Sequence, residues 1–443
     1  MYLFTMAAPS TTQRLLAAML LSLVSLSPKF SVTADTAVDF EHPDTVLETL
    51  AFGSCHKRKR ATTTPATIWS VIRSDKPDAW LWTGDAVYPP YKGVATTAQL
   101  VTEYRQMKEN ATLGYADFAP PAGIYGTWDD HDYGGNDMGR EMSGKQERAS
   151  AFWDFLGHAA PAVDRQGVYS AVSWGSAPQK VLSVQLDTRW HRANHCVPSF
   201  ATSLPLGAGI ACVTRWLSAG LLPRLCSPES QLLGAEQWAW LEEQLQSTDA
   251  SMIVIVSSIQ VFTTNPVMES WGHFPVERDR LVRLLAAASE DKGVVLLSGD
   301  VHHAEILDPA AGTAVAAQSF LEVTSSGLTH DCSMPFYGAM CEPLLEKFKD
   351  HRFENSGNYY IGLNYGTMHI DWTAKTFTVD VRNVSGESVL TTGARPFGTA
   401  KWSEQDLEQV APCMDGHLMP MAWTTLLGAV VLLASVVLQR QMQ

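Results

Sequence analysis

The sequence predicts an α/β protein in which sheet strands are covered on their faces by helices. Three observations predict it. Short apolar runs of strand length alternate with amphipathic segments of helical period. Each apolar run breaks, at its carboxyl end, into residue types that bind metals or carry protons. The 443 residues, 46% of them hydrophobic, are ample for a large core, and no fixed-period repeat diverts the chain into a solenoid.

The first element is an address rather than fold. Arg14 precedes "LLAAMLLSLVSLS" (15–27), and "VTA" (32–34) suits a small-residue cleavage site, so residues 1–34 are expected to be a signal peptide, with an uncleaved anchor as the rival reading. The first strand, "TLAFGSCH" (49–56), runs into Cys55 and His56. "PATIWSVIRSDK" (65–76) follows, with Pro65 early and Ile68, Val71 and Ile72 on one helical face. "AWLWTGDAVY" (79–88) breaks at Gly84 into Asp85 and Tyr88, and "GIYGTWDDHD" (123–132) breaks into Asp129, Asp130, His131 and Asp132. "KVLSVQLDTRW" (180–190) ends in Asp187 and Arg189.

The helix "GAEQWAWLEEQLQ" (234–246) stripes Trp238, Leu241 and Leu245. "SMIVIVSSIQV" (251–261) then ends near Ser257, Ser258 and Gln260. The helix "VERDRLVRLLAAASED" (276–291) aligns Leu281, Leu284 and Leu285, and "GVVLLSGDVHHAEI" (293–306) breaks at Gly299 into Asp300, His302, His303 and Glu305. The last element, "LMPMAWTTLLGAVVLLASVVL" (418–438), is 21 residues without a charge, enough to cross a bilayer, with Arg440 as a weak stop signal. A lipid-anchor signal fits less well, because the polar spacer is short and the tail ends polar.

Functional residues of open α/β sheets gather beyond the carboxyl ends of the strands, where these polar clusters fall. The inventory is Cys55, Asp85, Tyr88, Asp130, Asp300 and His302, with His131 and Arg189 nearby in kind. It is rich in carboxylates and suits two close metal ions sharing a bridging carboxylate. Thiolate and phenolate favour iron at one position; carboxylates suit calcium, magnesium or manganese at the other. Each piece has a bland reading. A lone Gly-Asp is usually a turn. "WDDHD" could be a solvated turn, but like charges so close repel unless a cation intervenes. "KRKR" (57–60) reads as a solvated face or processing site, with a phosphate clamp as the alternative, and the tryptophans read as core.

A net charge of −14 argues against nucleic acid as a partner but not against a small anion, since bound metals reverse the local sign. Two glycosylation triplets, at Asn110 and Asn383, agree with a lumenal or extracellular body. Seven cysteines in an oxidising compartment leave one unpaired; Cys55 is expected to be that one, with Cys196, Cys212, Cys226, Cys332, Cys341 and Cys413 in three disulfides of undecided pairing.

"GSC" (53–55), "GDAVY" (84–88), "WDDHD" (128–132), "LDTRW" (186–190), "SSIQV" (257–261), "SGDVHHAEI" (298–306) and "TSSGLTH" (324–330) occur in the order found in PhoD-like alkaline phosphatases, and from about Leu50 to Asp371 the chain resembles that family of the metallophosphoesterase superfamily. The resemblance implies an α/β/β/α sandwich of two sheets, a domain over 40–400, then a linker (401–417), the membrane span and a short tail (439–443). It implies Cys55, Asp85 and Tyr88 around iron, with Asp85 bridging to a second ion (calcium, magnesium, manganese or zinc) held by Asp130. Asp300 and His302 would complete the ligands, and Gln260 could stand where another ligand usually lies. His131 would be the acid or oxyanion stabiliser, and Arg189 and His303 would contact substrate.

Only 20 residues separate Ala34 from Cys55, so the β-domain that precedes the cysteine in bacterial members is expected to be missing and the chain to be closer to eukaryotic relatives. The expected activity is hydrolysis of small phosphate monoesters by a two-metal centre, with diesters or phospholipids as the near alternative. The different-class rival is a surface receptor or adhesin on a degenerate phosphatase scaffold. No Gly-x-Ser-x-Gly elbow suggests a serine hydrolase instead. The expected location is the secretory pathway, as a single-pass protein with its catalytic domain lumenal or extracellular.

Overall fold

A computed structural model describes residues 38–61, 68–89, 93–161, 164–197, 207–221, 230–310, 320–333, 338–353, 358–398 and 401–410. The expected signal peptide (1–34) and membrane span (418–438) lie outside these residues. Among the described residues no helix is long and apolar enough to cross a membrane.

The strands are β1 (Phe40–His42), β2 (Thr49–Gly53), β3 (Ala79–Thr83), β4 (Ile124–Thr127), β5 (Ser170–Trp174), β6 (Val181–Gln185), β7 (Met252–Val256) and β8 (Gly293–Ser298). They continue as β9 (Ala304–Leu307), β10 (Leu321–Ser325), β11 (Tyr359–Tyr360), β12 (Asn364–Asp371), β13 (Thr376–Asn383), β14 (Ser388–Thr391) and β15 (Arg395–Pro396). They form two sheets. One runs β1-β5-β6-β7-β8-β10-β9-β11; the other runs β14-β13-β12-β2-β3-β4, with β15 on β13.

The six strands expected from apolar runs divide three and three. β2, β3 and β4 are parallel neighbours in one sheet, and β6, β7 and β8 are parallel neighbours in the other. The central strands of each sheet are buried on both faces, so they read as continuous apolar runs, yet the pleat still sorts their side chains. On β7, Met252, Val254 and Val256 face the layer between the sheets, while Ile253 and Ile255 pack in the outer core with Leu241 and Leu281 of the covering helices Ala235–Ser247 and Pro275–Ala288. On β3, Leu81 faces inward and Trp80 and Trp82 pack outward against Trp69 of the helix Ile68–Ser74. Burying each such aliphatic or aromatic side chain contributes about 1.5–3 kcal/mol relative to exposure. The result is a helix–sheet–sheet–helix stack.

The described part of the expected linker is more ordered than its polarity suggested. Glu404–Val410 forms a helix that buries Leu407 and Val410 in the outer core beside Pro275–Ala288.

Hydrogen bonds tie the strand ends together. Thr127 Oγ1 donates to the Leu186 carbonyl at 2.7 Å, Gly299 N to that of Ser258 at 3.1 Å, His56 N to that of Asp85 at 2.9 Å, and Leu328 N to that of Ser54 at 3.2 Å. Two glycines make this closeness possible. A Cβ on Gly84, at φ +98°, would meet Asp129 Cβ at 2.6 Å, and one on Gly299 would meet Thr83 O at 2.4 Å and Ser54 Oγ at 2.5 Å.

Candidate metal centre

Four of the residues expected to bind metal stand just past strands in the left-handed backbone region: Cys55 (φ 63°), Asp85 (φ 52°), Asp300 (φ 72°) and His302 (φ 59°). Each costs about 1–2 kcal/mol for a residue with a side chain. Such strain persists where the surroundings over-determine it, and it concentrates at functional sites. The turn redirects each side chain out of the pleat, toward the end where the sheets meet.

A cavity of about 350 Å³ opens there, with Asp85, Tyr88, Asp130, His131, Asp300 and His302 in its lining. Tyr88 OH lies 3.2 Å from His302 Nε2 and donates a very short bond to Asp85 Oδ2. Cys55 Sγ lies 3.8 Å from Asp85 Oδ2 and 3.1 Å from Ser326 Oγ. The ligand atoms of Cys55, Asp85 and His302 fall within 4.8 Å of one another; so do those of Asp85, Asp130 and His131, and those of Asp129, Asp130 and Asp300. The first two sets share Asp85. Its other oxygen, Oδ1, accepts from His131 N at 3.1 Å.

The electrostatics call for cations. Burial, then the charges of Asp130 and Asp129, push the Asp85 carboxyl well above the usual range. Burial, then Asp129 and Glu269, does the same to Asp300. Asp129 is pushed up to about 7 by burial and by Asp130, against the pull of Arg189. Burial also raises the thiol of Cys55 and the phenol of Tyr88, and holds His302 down at about 3. The carboxyl, thiol and phenol shifts oppose the deprotonated state a metal needs, and bound cations reverse that logic, while the neutral imidazole of His302 already suits one. Asp130 Oδ1 and Asp129 Oδ2 are buried with no hydrogen-bond partner among the described residues, which a native fold rarely tolerates without an ion or water. The donor set therefore fits metal ions.

The structure places three of the expected site residues away from the cavity lining. Arg189 does not reach the cavity. It is fully buried, with Nε 2.7 Å from Asp129 Oδ1 and Nη1 2.9 Å from Glu269 Oε1. His303 also turns away: it is buried, with Nδ1 3.0 Å from the Val301 carbonyl and Nε2 3.3 Å from Glu305 Oε1. Gln260 is committed to the same inner cluster, donating to Glu305 at 2.7 Å and Thr324 at 2.9 Å. In each case buried polar partners hold the side chain inside the protein. Cys55 is unpaired as expected, but so is Cys212; Cys332 pairs with Cys341, and Cys196 is disulfide-bonded.

Some residues went unread. Glu269 lies between Arg189, Arg192 (2.5 Å) and Arg215 (3.6 Å); burial alone would raise its carboxyl, but these guanidinium groups hold it well below the usual range. Arg215 also pairs with Asp137, whose backbone N–H donates to Asp130 Oδ2 at 2.8 Å. Isolated charges in ordinary contexts carry no local signal for such a network. Asp132, the last residue of the acidic run, accepts from Ala86 N (3.1 Å), Val87 N (3.1 Å) and Asp129 N (3.2 Å), bracing the loop that carries Asp85. His330 packs its ring 4.2 Å from that of His302 and 4.8 Å from that of Tyr88. "KRKR" splits: Arg58 pairs with Glu103 at 2.8 Å, while Lys57 and Arg60 line the cavity.

Two sheets between helices, with carboxylate, imidazole, thiol and phenol donors at their shared end, define a metallohydrolase-like architecture. The chain belongs to the PhoD-like phosphatase family, whose model matches residues 50–381, and it is by that membership a phosphatase. Among solved structures it is similar to PhoD (17% identity, TM-score 0.48, covering 84% of this chain and 78% of that one). It is also similar to GAP50, the anchor in the inner membrane complex of Plasmodium (10% identity, TM-score 0.45, covering 85% and 98%). These two likenesses concern the course of the chain alone. No curated protein sequence matches it.

Proposed function

We propose that this protein is a metal-dependent phosphoester hydrolase with a binuclear centre, acting on phosphate monoesters. The observation that carries the proposal is the pair of donor sets that share Asp85, one with Cys55 and His302 and the other with Asp130 and His131, at the base of the cavity. Cys55, Asp85 and Tyr88, joined by His302, would hold iron, the ion that thiolate and phenolate suit. Asp130 and Asp300, with Asp85 between, would hold calcium or another divalent ion such as magnesium, manganese or zinc. Asp130 is the better ligand of the tandem pair, since Asp129 is occupied by Arg189 and Ser258.

Two such ions supply charge stabilisation of the phosphoryl group and a nucleophile near neutral pH. The chain's own residues do the rest. Asp132 and Arg189 keep the loops of Asp85 and Asp129 in place from behind. His131 stands at the cavity with its side chain 32% exposed, and burial lowers its pKa, so its neutral ring can donate a hydrogen bond to the leaving oxygen.

The location we propose is lumenal or extracellular, with 1–34 as signal peptide and 418–438 as membrane span. The charge-free run and the disulfide chemistry of Cys332, Cys341 and Cys196 support it. The test is hydrolysis of p-nitrophenyl phosphate and bis-p-nitrophenyl phosphate across pH, beside elemental analysis, with Asp300→Asn as the variant. Activity with bound metal, both lost in the variant, is the expected result. A folded protein with neither metal nor turnover would overturn the proposal in favour of a receptor on a phosphatase scaffold.

A further inference from the structure

Arg189 is buried away from the cavity, so any side-chain cation that meets a substrate there belongs to the cavity lining. The cationic side chains in the cavity lining are Lys57, Arg60 and Arg215. Arg215 is held by Asp137 and Glu269. Lys57 differs. Its backbone is pinned on both sides: its N–H donates to Thr329 Oγ1 at 2.6 Å, and its carbonyl accepts from Arg60 N at 2.8 Å and Ala61 N at 3.2 Å. Thr329 Oγ1 in turn donates to the carbonyl of Cys55 at 3.2 Å, coupling the anchor of Lys57 to the metal-binding loop. Its side chain is half-buried, and Nζ rests 5.4 Å from the ring centroid of Tyr88. Among the described residues no carboxylate stands within ion-pair distance of that ammonium.

We propose that Lys57 is a substrate-binding residue that selects the dianionic phosphate of a monoester. The inference rests on the phosphoesterase reading above and names its substrate class. An ammonium on a flexible four-carbon stem can leave the face of Tyr88 and donate to a phosphoryl oxygen at the cavity mouth without breaking an ion pair. A monoester above its second pKa of about 6 presents three non-bridging oxygens sharing two charges. Two metal ions engage part of that set, and Lys57 takes the oxygen left over. A diester carries one charge and puts an ester arm where that third oxygen would be, so it gains less from the ammonium.

The test uses full-length, metal-loaded protein and two variants. Lys57→Met keeps the stem and removes the charge; Lys57→Arg keeps the charge. Metal content, kcat/KM for p-nitrophenyl phosphate and for bis-p-nitrophenyl phosphate, and the Kd of inorganic phosphate by calorimetry are read together. In Lys57→Met, metal content should stay, monoester kcat/KM should fall about 100-fold and diester kcat/KM less than about threefold, in the range of a lost transition-state donor. Phosphate binding should weaken about tenfold, and Lys57→Arg should recover most of each loss. Equal falls on both esters, an unchanged phosphate Kd, or loss of metal along with activity would overturn the proposal; the last would make Lys57 a prop for the Cys55 loop. Wild-type protein that binds phosphate through Lys57 but turns over neither ester would sink the hydrolase reading and leave the binding role standing. Failure to bind phosphate at all would sink both.

Discussion

Replacing Arg189 by methionine distinguishes a structural guanidinium from a substrate-contacting one. The side chain is 0% exposed and bonds Asp129 Oδ1 at 2.7 Å and Glu269 Oε1 at 2.9 Å. At an effective dielectric constant of about 20, unit charges this close attract by about 6 kcal/mol per pair, most of it offset by desolvation. Losing the guanidinium leaves Glu269 with Arg192 and Arg215 but strips Asp129 of its buried counter-charge. Removing one partner of such a pair costs about 3–5 kcal/mol. Urea unfolding of metal-loaded Arg189→Met, followed by tryptophan fluorescence, should show a loss of that size. The double variant Arg189→Met/Asp129→Asn should recover a large share, because the stranded charge is gone. The kcat/KM per folded molecule should fall less than about tenfold, since no transition-state contact is removed. An unchanged unfolding midpoint with a large loss of kcat/KM and of phosphate affinity would refute the reasoning and put Arg189 back at the substrate.

Two further outcomes follow from the site's chemistry and packing. Burial pushes Asp129 and Asp132 up to about 7 in the metal-free fold, and Asp85 and Asp300 are raised too; carboxyls whose folded pKa exceeds the unfolded value of 3.8 hold protons that the unfolded chain releases. Their stabilising contribution is complete below about pH 4 and is lost as pH rises through about 7, so the Tm of chelator-stripped protein should fall across that window and metal loading should abolish the fall. A Tm of stripped protein that rises over the same range would count against the site. Gly299→Ala sets a methyl 2.4 Å from Thr83 O and 2.5 Å from Ser54 Oγ, which should cost about 1–3 kcal/mol in urea unfolding and lower metal content, since both contacts lie beside ligand loops. Full metal occupancy with unchanged stability would show that the sheet ends have room to spare.

Much of the design was legible along the chain because it is local. An apolar run that breaks at Gly84 or Gly299 into an aspartate marks a buried strand entering a functional loop, whatever surrounds it. The run "MIVIV" marks β7 just as directly, and the stripe of Leu281, Leu284 and Leu285 marks the covering layer. The ordered motifs from Cys55 to His330 carried the family. Weaker signals passed unread: the alternation of Phe377, Val379 and Val381 on β13, each facing inward, marked an antiparallel strand.

The sequence by itself determined the six parallel strands at the centre of the fold, which end of each carries the chemistry, and which side-chain types gather there. Tertiary structure alone decided that three of those strands belong to one sheet and three to the other, because hydrogen-bond partners lie far apart in the chain. It also decided where each polar side chain points. Asp300 and His303 leave the same loop, yet Asp300 joins Asp129 and Asp130 while His303 turns inward to Glu305. Lys57 faces the cavity while Arg58, its neighbour, pairs with Glu103. A strand-end side chain is aimed by left-handed backbone turns and by buried partners from distant segments, and neither is written in the residues beside it.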